Sequence, residues 1–317
     1  MGDRKKGTIP DLKIGVILNV SDIYSLIMLA FLTILLIYFY QSFKDVTDYI
    51  FLNILISFWI LSIATINEKF KAGRIFILFQ RIAIVPIIFY IYMVSLELLP
   101  YVNPYDIDSA LIQIDKWIFG VNPTQWVYQF SSPLITEILQ ISYWLFFLLI
   151  FINGIELHIR KKDEEFRRFA SIIMFSFYLT YILYMIFPAI GPRFTLHDFF
   201  TINSDLPGLF LTEILREQIN AGAGLVGNMI DPAAEVNRDC MPSGHTALTI
   251  INIYLAFLFR SRLKYIITII GIGIIISTIY LRYHYAIDIL AGILTAIVIL
   301  LFEPKLYKWL GKIKNKY

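Results

Sequence analysis

The chain has 317 residues, of which 58% are hydrophobic, 16% aromatic and only 16% charged, with a formal net charge of +3. Soluble domains sit near 45–50% apolar and about 25% charged, so this composition excludes a soluble enzyme and predicts a polytopic membrane protein. The single Cys240 excludes an intrachain disulfide and a multi-cysteine metal site.

The amino-terminal stretch MGDRKKGTIPDLKIGVILNV is charged and lacks the short apolar core and small-residue cleavage site of a secretory signal, so it reads as a cytosolic leader. Apolar runs long enough to cross about 30 Å of hydrocarbon follow near 22–40, 49–66 and 76–99. Residues 100–132 then alternate apolar and polar positions, with Tyr105, Trp117, Trp126 and Tyr128 among them, which predicts a helix lying in the membrane interface. Five further runs lie near 133–152, 169–190, 244–260, 265–281 and 285–303, and residues 191–241 form the largest polar stretch. The tail EPKLYKWLGKIKNKY is basic and amphipathic and suits anionic headgroups. The expected fold is all-α, a polytopic transmembrane helical bundle of about eight spans, divided into 1–99 (amino-terminal spans), 100–303 (catalytic membrane domain) and 304–317 (cytoplasmic tail).

Lys and Arg placement orients the bundle, because cytoplasmic loops carry the positive excess. The amino terminus, the loops at 67–75, 153–168 and 260–264, and the tail hold 20 of the 27 Lys and Arg residues. Lys44, Lys116, Arg193, Arg216, Arg238 and Arg282 fall on the opposite side, and Arg81 lies within a span. Both termini are therefore expected in the cytoplasm.

The same rule gathers three polar clusters at the outer face: FPAIGPRF (187–194), MPSGH (241–245) and LRYHYAID (281–288). His284 and Asp288 are one helical turn apart, so the carboxylate can hydrogen-bond one imidazole nitrogen and leave the other free to attack or to accept a proton. Ser243 and Gly244 stand at a predicted helix start, where free N–H groups and the helix dipole favour an anion; His245 can reach the same anion as acid or base. Arg193 and Arg282 add permanent, forked positive charge suited to phosphate. Histidines, acids and arginines in this combination point to phosphoryl chemistry by histidine, and the arginines oppose a cation, so no metal is expected. Arg81, Glu97 and Glu137 read as interhelical pairs, His197 and Asp198 as loop residues, and His158 as solvated.

The ordered set of Arg193, PSGH and HYAID resembles the type 2 phosphatidic acid phosphatase superfamily, in particular the branch with inositol phosphorylceramide synthase (an inositolphosphotransferase) and its bacterial relatives. The likeness covers roughly residues 100–303. It implies that His284 is a nucleophile forming a phosphohistidine and that Asp288 orients it. It further implies that His245 protonates the leaving alcohol and later activates the acceptor, while Arg193, Ser243 and Gly244 hold the phosphoryl oxygens. No metal or cofactor is implied. Three positions depart from the pattern: Thr278 stands where an Arg is expected six residues before the nucleophile, Ile186 where a Lys is expected, and Phe194 where a Pro follows the first Arg. Arg282 and Arg238 are the candidates for the missing cation. A diester headgroup carries less charge than a monoester and needs fewer cations, and loss of these ligands marks the transferase branch.

The expected activity is cleavage of a lipid-linked phosphoryl group at the outer membrane face through a phosphohistidine, with water as acceptor, making a lipid phosphate phosphatase. With a lipid hydroxyl as acceptor the same residues make a phosphotransferase of an inositol-phosphate-type headgroup. A non-catalytic anionic-lipid transporter or scaffold is the reading of another class; it calls for inverted repeats and broken helices near the midplane, and neither is legible. The expected partners are a phospholipid or isoprenoid-phosphate substrate and the cell membrane, with the site on the extracytoplasmic (periplasmic) side and no nucleic acid.

Overall fold

The computed structural model describes residues 18–70, 74–225, 227 and 230–314; the amino-terminal leader read in residues 1–17 and the last three residues of the basic tail lie outside them. The helices in chain order are α1 Val20–Tyr38, α2 Val46–Phe70, α3 Arg74–Ile82, α4 Ile84–Val102, α5 Asp108–Phe119 and α6 Pro123–Val127. They continue with α7 Pro133–Trp144, α8 Phe146–Ile159, α9 Asp163–Ile186, α10 Pro192–Thr195, α11 Ile202–Asp205 and α12 Thr212–Gly222. Last come α13 Pro232–Glu235, α14 Gly244–Leu258, α15 Lys264–Tyr280 and α16 Ala286–Lys314. Among the described residues there is no strand, only an isolated bridge between Ala189 and Asp239.

Five of these helices are long and apolar enough to cross a membrane, and α7 with α8, bent by 50°, make a sixth if the pair is one span. The eight apolar runs of the sequence thus correspond to five full-length helices, one bent pair, and the shorter apolar helices α14 and α15, whose 15 and 17 residues fall below the ~20 that a straight crossing needs. The chain is a multi-pass, all-α membrane protein.

Helix α9 is the hub. Helices α1, α4, α8, α14 and α16 all pack on it, and Leu29, Leu32, Leu36, Ile91, Val94, Phe177, Ile251 and Ile299 form one continuous core. Lipid tails are as apolar as leucine, so close packing and polar ties, rather than escape from solvent, hold such helices together. Ser25 on α1 meets Tyr178 on α9 at 3.0 Å, and Asn153 on α8 donates to Asn252 on α14 at 2.8 Å. Arg168 on α9 grips the carboxylate of Glu303 on α16 with both arms while Tyr24 on α1 donates to that carboxylate, binding three helices at one end. Arg81 pairs with Asp163 across helices, and Tyr49 donates to Glu97, as expected of ionisable groups at span ends.

Helix α5 has the amphipathic character expected of the interface, with Trp117 86% exposed; Tyr105 just before it and Trp126 on α6 are exposed as well. Its opposite face, Asp108, Leu111 and Asp115, is buried and carries charge.

Candidate active site

The three polar clusters meet where α9 ends, where α14 begins and in the turn between α15 and α16. After α9 the chain runs beside the segment preceding α14: the Cys240 amide donates to the Ala189 carbonyl at 3.0 Å. Gly191 sits there with φ +96°, and a Cβ on it would lie 3.0 Å from the Tyr283 carbonyl and 3.2 Å from the Cys240 sulfur. The first cluster, the Cys240 side chain just before the second and the backbone of the third therefore crowd one glycine, where a residue without a side chain is needed.

The turn carrying His284 is closed by the Thr278 carbonyl, which accepts from the amides of both Tyr283 and His284 at 2.9 Å. Arg282 lies inside this turn, at φ +66°, and not in a helix. The Nδ1 of His284 is 2.9 Å from the Cys240 carbonyl oxygen. A carbonyl only accepts, so Nδ1 carries the proton and Nε2 keeps the lone pair. Asp288 lies one turn further on the same face, as the spacing predicts, but its nearest oxygen is 3.5 Å from Nδ1. That oxygen is engaged at 2.9 Å by the Tyr285 amide and at 2.9 Å by the Cys240 thiol, because the start of α16 needs an acceptor for its free amide. The Cys240 carbonyl is therefore the direct partner of the imidazole, and Asp288, fully buried, supports it with charge. Burial, and then the Asp288 carboxylate, push the Cys240 thiol well above its ordinary range, so it remains a donor. Cys240, His284 and Asp288 place three metal-type donors within 4.8 Å of one another. Protons already occupy the shared positions, on Nδ1 and on sulfur, so a cation would have to displace both.

Helix α14 begins as expected. The Ser243 hydroxyl accepts from the Thr246 amide at 3.3 Å and serves as the N-cap, and the Ser243 amide donates to the Asp288 carbonyl at 3.0 Å, joining α14 to α16. A Cβ on Gly244 would lie 2.4 Å from the Tyr184 hydroxyl, so glycine is needed for α9 to pass so closely. The rings of His245 and His284 stand 5.8 Å apart at 59°. Among the described residues His245 has one hydrogen-bond partner, the Tyr143 hydroxyl, 3.3 Å from Nδ1.

The arginines divide. Arg193 is buried, donates to Asn220 at 2.8 Å and lies over the Tyr283 ring at 4.4 Å, beside the third cluster. Arg282 is buried as well; one arm is paired with Asp205 at 2.7 Å, and its Nε has no partner. Arg238 is directed to Asp106 and to the Asn103 carbonyl, at the junction of α4 and α5, and not to the paired histidines. Thr278 is fully buried and bonds its own helix at the Ile275 carbonyl.

Three buried carboxylates that hold these loops were not legible as site residues. Asp108 accepts from the amides of Ile190 at 3.0 Å and Gly191 at 2.8 Å and from the Tyr285 hydroxyl at 2.7 Å. Asp115 accepts from the amides of Ala286 and Ile287, at the start of α16, at 2.9 and 2.8 Å. Glu137, expected to pair between helices, instead accepts from the amides of residues 209–212 and from the Thr212 hydroxyl, holding the start of α12. Helix α12 carries Arg216, whose guanidinium donates to Asn203 and to the carbonyls of Ile202 and Leu206. The spacing of Asp108, Leu111 and Asp115 at i, i+3 and i+7 was the available signal: a charged stripe on the face opposite the aromatic one. His197 meets Thr124 at 3.0 Å, and burial together with the nearby Arg282 lowers its pKa to about 4.

Comparison with known proteins adds the following. The family described as the PAP2 superfamily matches residues 109–302. A PA-phosphatase related-family protein of Dictyostelium discoideum is 30% identical over 191 residues, covering 55% of this chain and 33% of that one, so the chain spans about a third of that relative's length. The phosphoinositol dihydroceramide synthase of Bacteroides thetaiotaomicron is 26% identical over 228 residues, covering 66% of this chain and 71% of that one. No solved structure matches significantly.

Proposed function

This chain belongs to the PAP2 superfamily; on that premise we propose that it is a membrane phosphatase or phosphotransferase that cleaves a phospholipid headgroup through a phosphohistidine on His284. In the first half, Nε2 of His284 forms an N–P bond as the P–O bond to the lipid alcohol breaks, and His245 gives that alcohol its proton. In the second half, an acceptor hydroxyl loses its proton to His245, its oxygen bonds to phosphorus, and the N–P bond breaks. Amides at the start of α14, capped by Ser243 and opened by Gly244, and the guanidinium of Arg193 are suited to the phosphoryl oxygens. The observation that carries this reading is the pair of facing imidazoles, one of which has Nδ1 fixed by the Cys240 carbonyl so that Nε2 keeps its lone pair.

A specific observation favours transfer onto a lipid hydroxyl over hydrolysis of a monoester. Arg282 is paired with Asp205 and Thr278 supplies no charge, which leaves Arg193, one arm of which donates to the neutral Asn220, as the guanidinium of the set beside the third cluster without an acidic partner among the described residues. One unpaired guanidinium matches the single negative charge of a diester better than the two of a phosphate dianion. The bacterial relative, named as a phosphoinositol dihydroceramide synthase, supports the same direction. The Lys and Arg distribution supports a site at the outer face of the membrane with both termini in the cytoplasm.

The test is to purify the protein in mild detergent and to offer phosphorus-labelled phosphatidic acid and phosphatidylinositol, with and without a hydroxyl lipid acceptor. Label moving from phosphatidylinositol to the acceptor is the expected result, with an acid-labile protein adduct that His284→Ala loses. Release of inorganic phosphate from phosphatidic acid at a greater rate would make the enzyme a hydrolase, and an active His284→Ala would remove the phosphohistidine.

A further inference from the structure

A column of stacked planar groups runs through the site and joins all three clusters to a helix that belongs to none of them. The Tyr143 ring, on the last turn of α7, lies 4.3 Å from the His245 ring at 24° and 4.2 Å from the Tyr283 ring at 16°. The Arg193 guanidinium also lies over the Tyr283 ring, at 4.4 Å. Phe146, the first residue of α8, packs on His245 at 4.4 Å, so His245 is walled by the two helix ends that flank the 50° bend. The Tyr143 hydroxyl, 3.3 Å from Nδ1, is the hydrogen-bond partner of this imidazole among the described residues.

Resting on the reading of His245 as the acid and base, we propose that Tyr143 is the positioning residue for that histidine. An imidazole that both gives and takes a proton at one nitrogen must keep the other nitrogen protonated throughout. A tyrosine oxygen accepts from Nδ1–H in the neutral and in the cationic ring alike, and at neutral pH it carries no charge that would hold the ring as imidazolium. Nε2 is then the one atom through which protons pass to the leaving alcohol and from the acceptor. The two histidines share a device with different partners: the Cys240 carbonyl fixes Nδ1–H of His284, and the Tyr143 hydroxyl fixes Nδ1–H of His245. Stacking sets the plane of the ring and the hydroxyl sets its rotation, so removing the hydroxyl alone separates the two contributions.

Tyr143→Phe keeps the stacked ring and removes only the oxygen. With enzyme in excess of substrate, so that only the first half of the reaction is read, single-turnover release of the leaving group would be measured on two phosphoesters with the same lipid-like tail, one with an alkyl leaving group that needs a proton and one with an aryl leaving group that departs as a stable anion. Since a positioned acid contributes about 10²–10⁴-fold, partial misplacement should lower the single-turnover rate for the alkyl ester about 10- to 100-fold, with the concentration at half-maximal rate within about 2-fold and the aryl rate within about 3-fold. Equal losses on both esters, or no loss on either, would overturn the proposal. His245→Ala is measured alongside. If it shows the same leaving-group selectivity and Tyr143→Phe does not, only the role of Tyr143 fails. If His245→Ala itself is unselective, the assignment of His245 as the acid fails, and Tyr143 with it. Tyr143→Leu, which also removes the stack, should fall at least as far on the alkyl ester; retention of activity there would again overturn the proposal.

Discussion

Replacing Asp108 by Ala removes a carboxylate that holds two amides of the first cluster and a hydroxyl next to His284. Hydrogen bonds to a charged acceptor are worth about 1.5–3 kcal/mol each, so the gross loss is about 4–9 kcal/mol. Against it stands the desolvation of a buried carboxylate, several kcal/mol, which the variant no longer bears. The net cost should be about 3 kcal/mol, concentrated on the loop where Gly191 touches Tyr283 and Cys240. Tryptophan-fluorescence melting in detergent should show the midpoint falling by several degrees, and turnover should fall by about 100-fold. Asp108→Asn keeps one acceptor and should fall between the variant and the parent. Tyr285→Phe removes one of the three bonds to Asp108 together with the hydroxyl contact to Thr195 and should cost about 1.5–3 kcal/mol. An Asp108→Ala protein with parental melting and at least half the parental turnover would refute the idea that this carboxylate aligns the clusters.

Four other outcomes follow from the same geometry. Gly244→Ala should destabilise the junction of α9 and α14, since its Cβ would fall 2.4 Å from the Tyr184 hydroxyl; adding Tyr184→Phe should recover part of the melting temperature, and no recovery would mean that the clash lies elsewhere. Asp205→Asn frees Arg282 of its ion pair and should raise monoester hydrolysis relative to diester transfer; an unchanged ratio would show that Arg282 does not face the substrate. His197, with its pKa lowered from an ordinary 6.5 to about 4, is held neutral in the folded protein. The unfolded chain takes up that proton first, so stability is complete above about pH 6.5 and declines as pH falls toward 4, and His197→Gln should flatten this decline in an unfolding titration. Glu137→Ala should release the start of α12 and expose residues 209–212 to proteolysis; an unchanged cleavage pattern would mean that the five bonds to Glu137 are dispensable.

Much of the chemistry was legible because it is local. Histidine and aspartate four residues apart fall on one face of any helix, and Ser-Gly before an apolar run marks a helix start whether or not the rest of the chain is known. Composition dictated a multi-pass helical protein, since a chain this apolar satisfies its backbone in lipid only by forming helices or a closed barrel. The partners of those residues were not legible, because each comes from far along the chain. Cys240 lies 44 residues before the His284 it orients, Tyr143 102 before His245, and Asp108 177 before Tyr285. The aromatic face of α5 was readable as an interfacial belt, but its acidic stripe acquired meaning only when α16 packed against it. Span lengths show the same division: apolar runs are visible in sequence, but the bend between α7 and α8 and the early ends of α14 and α15 depend on neighbours and loops. The residue types of the candidate site were thus legible in the sequence itself, whereas the partner each histidine meets, the arginine that pairs with a carboxylate and the carboxylates that hold the loops were decided by tertiary packing, because hydrogen bonds reach about 3 Å and only the fold brings distant segments that close.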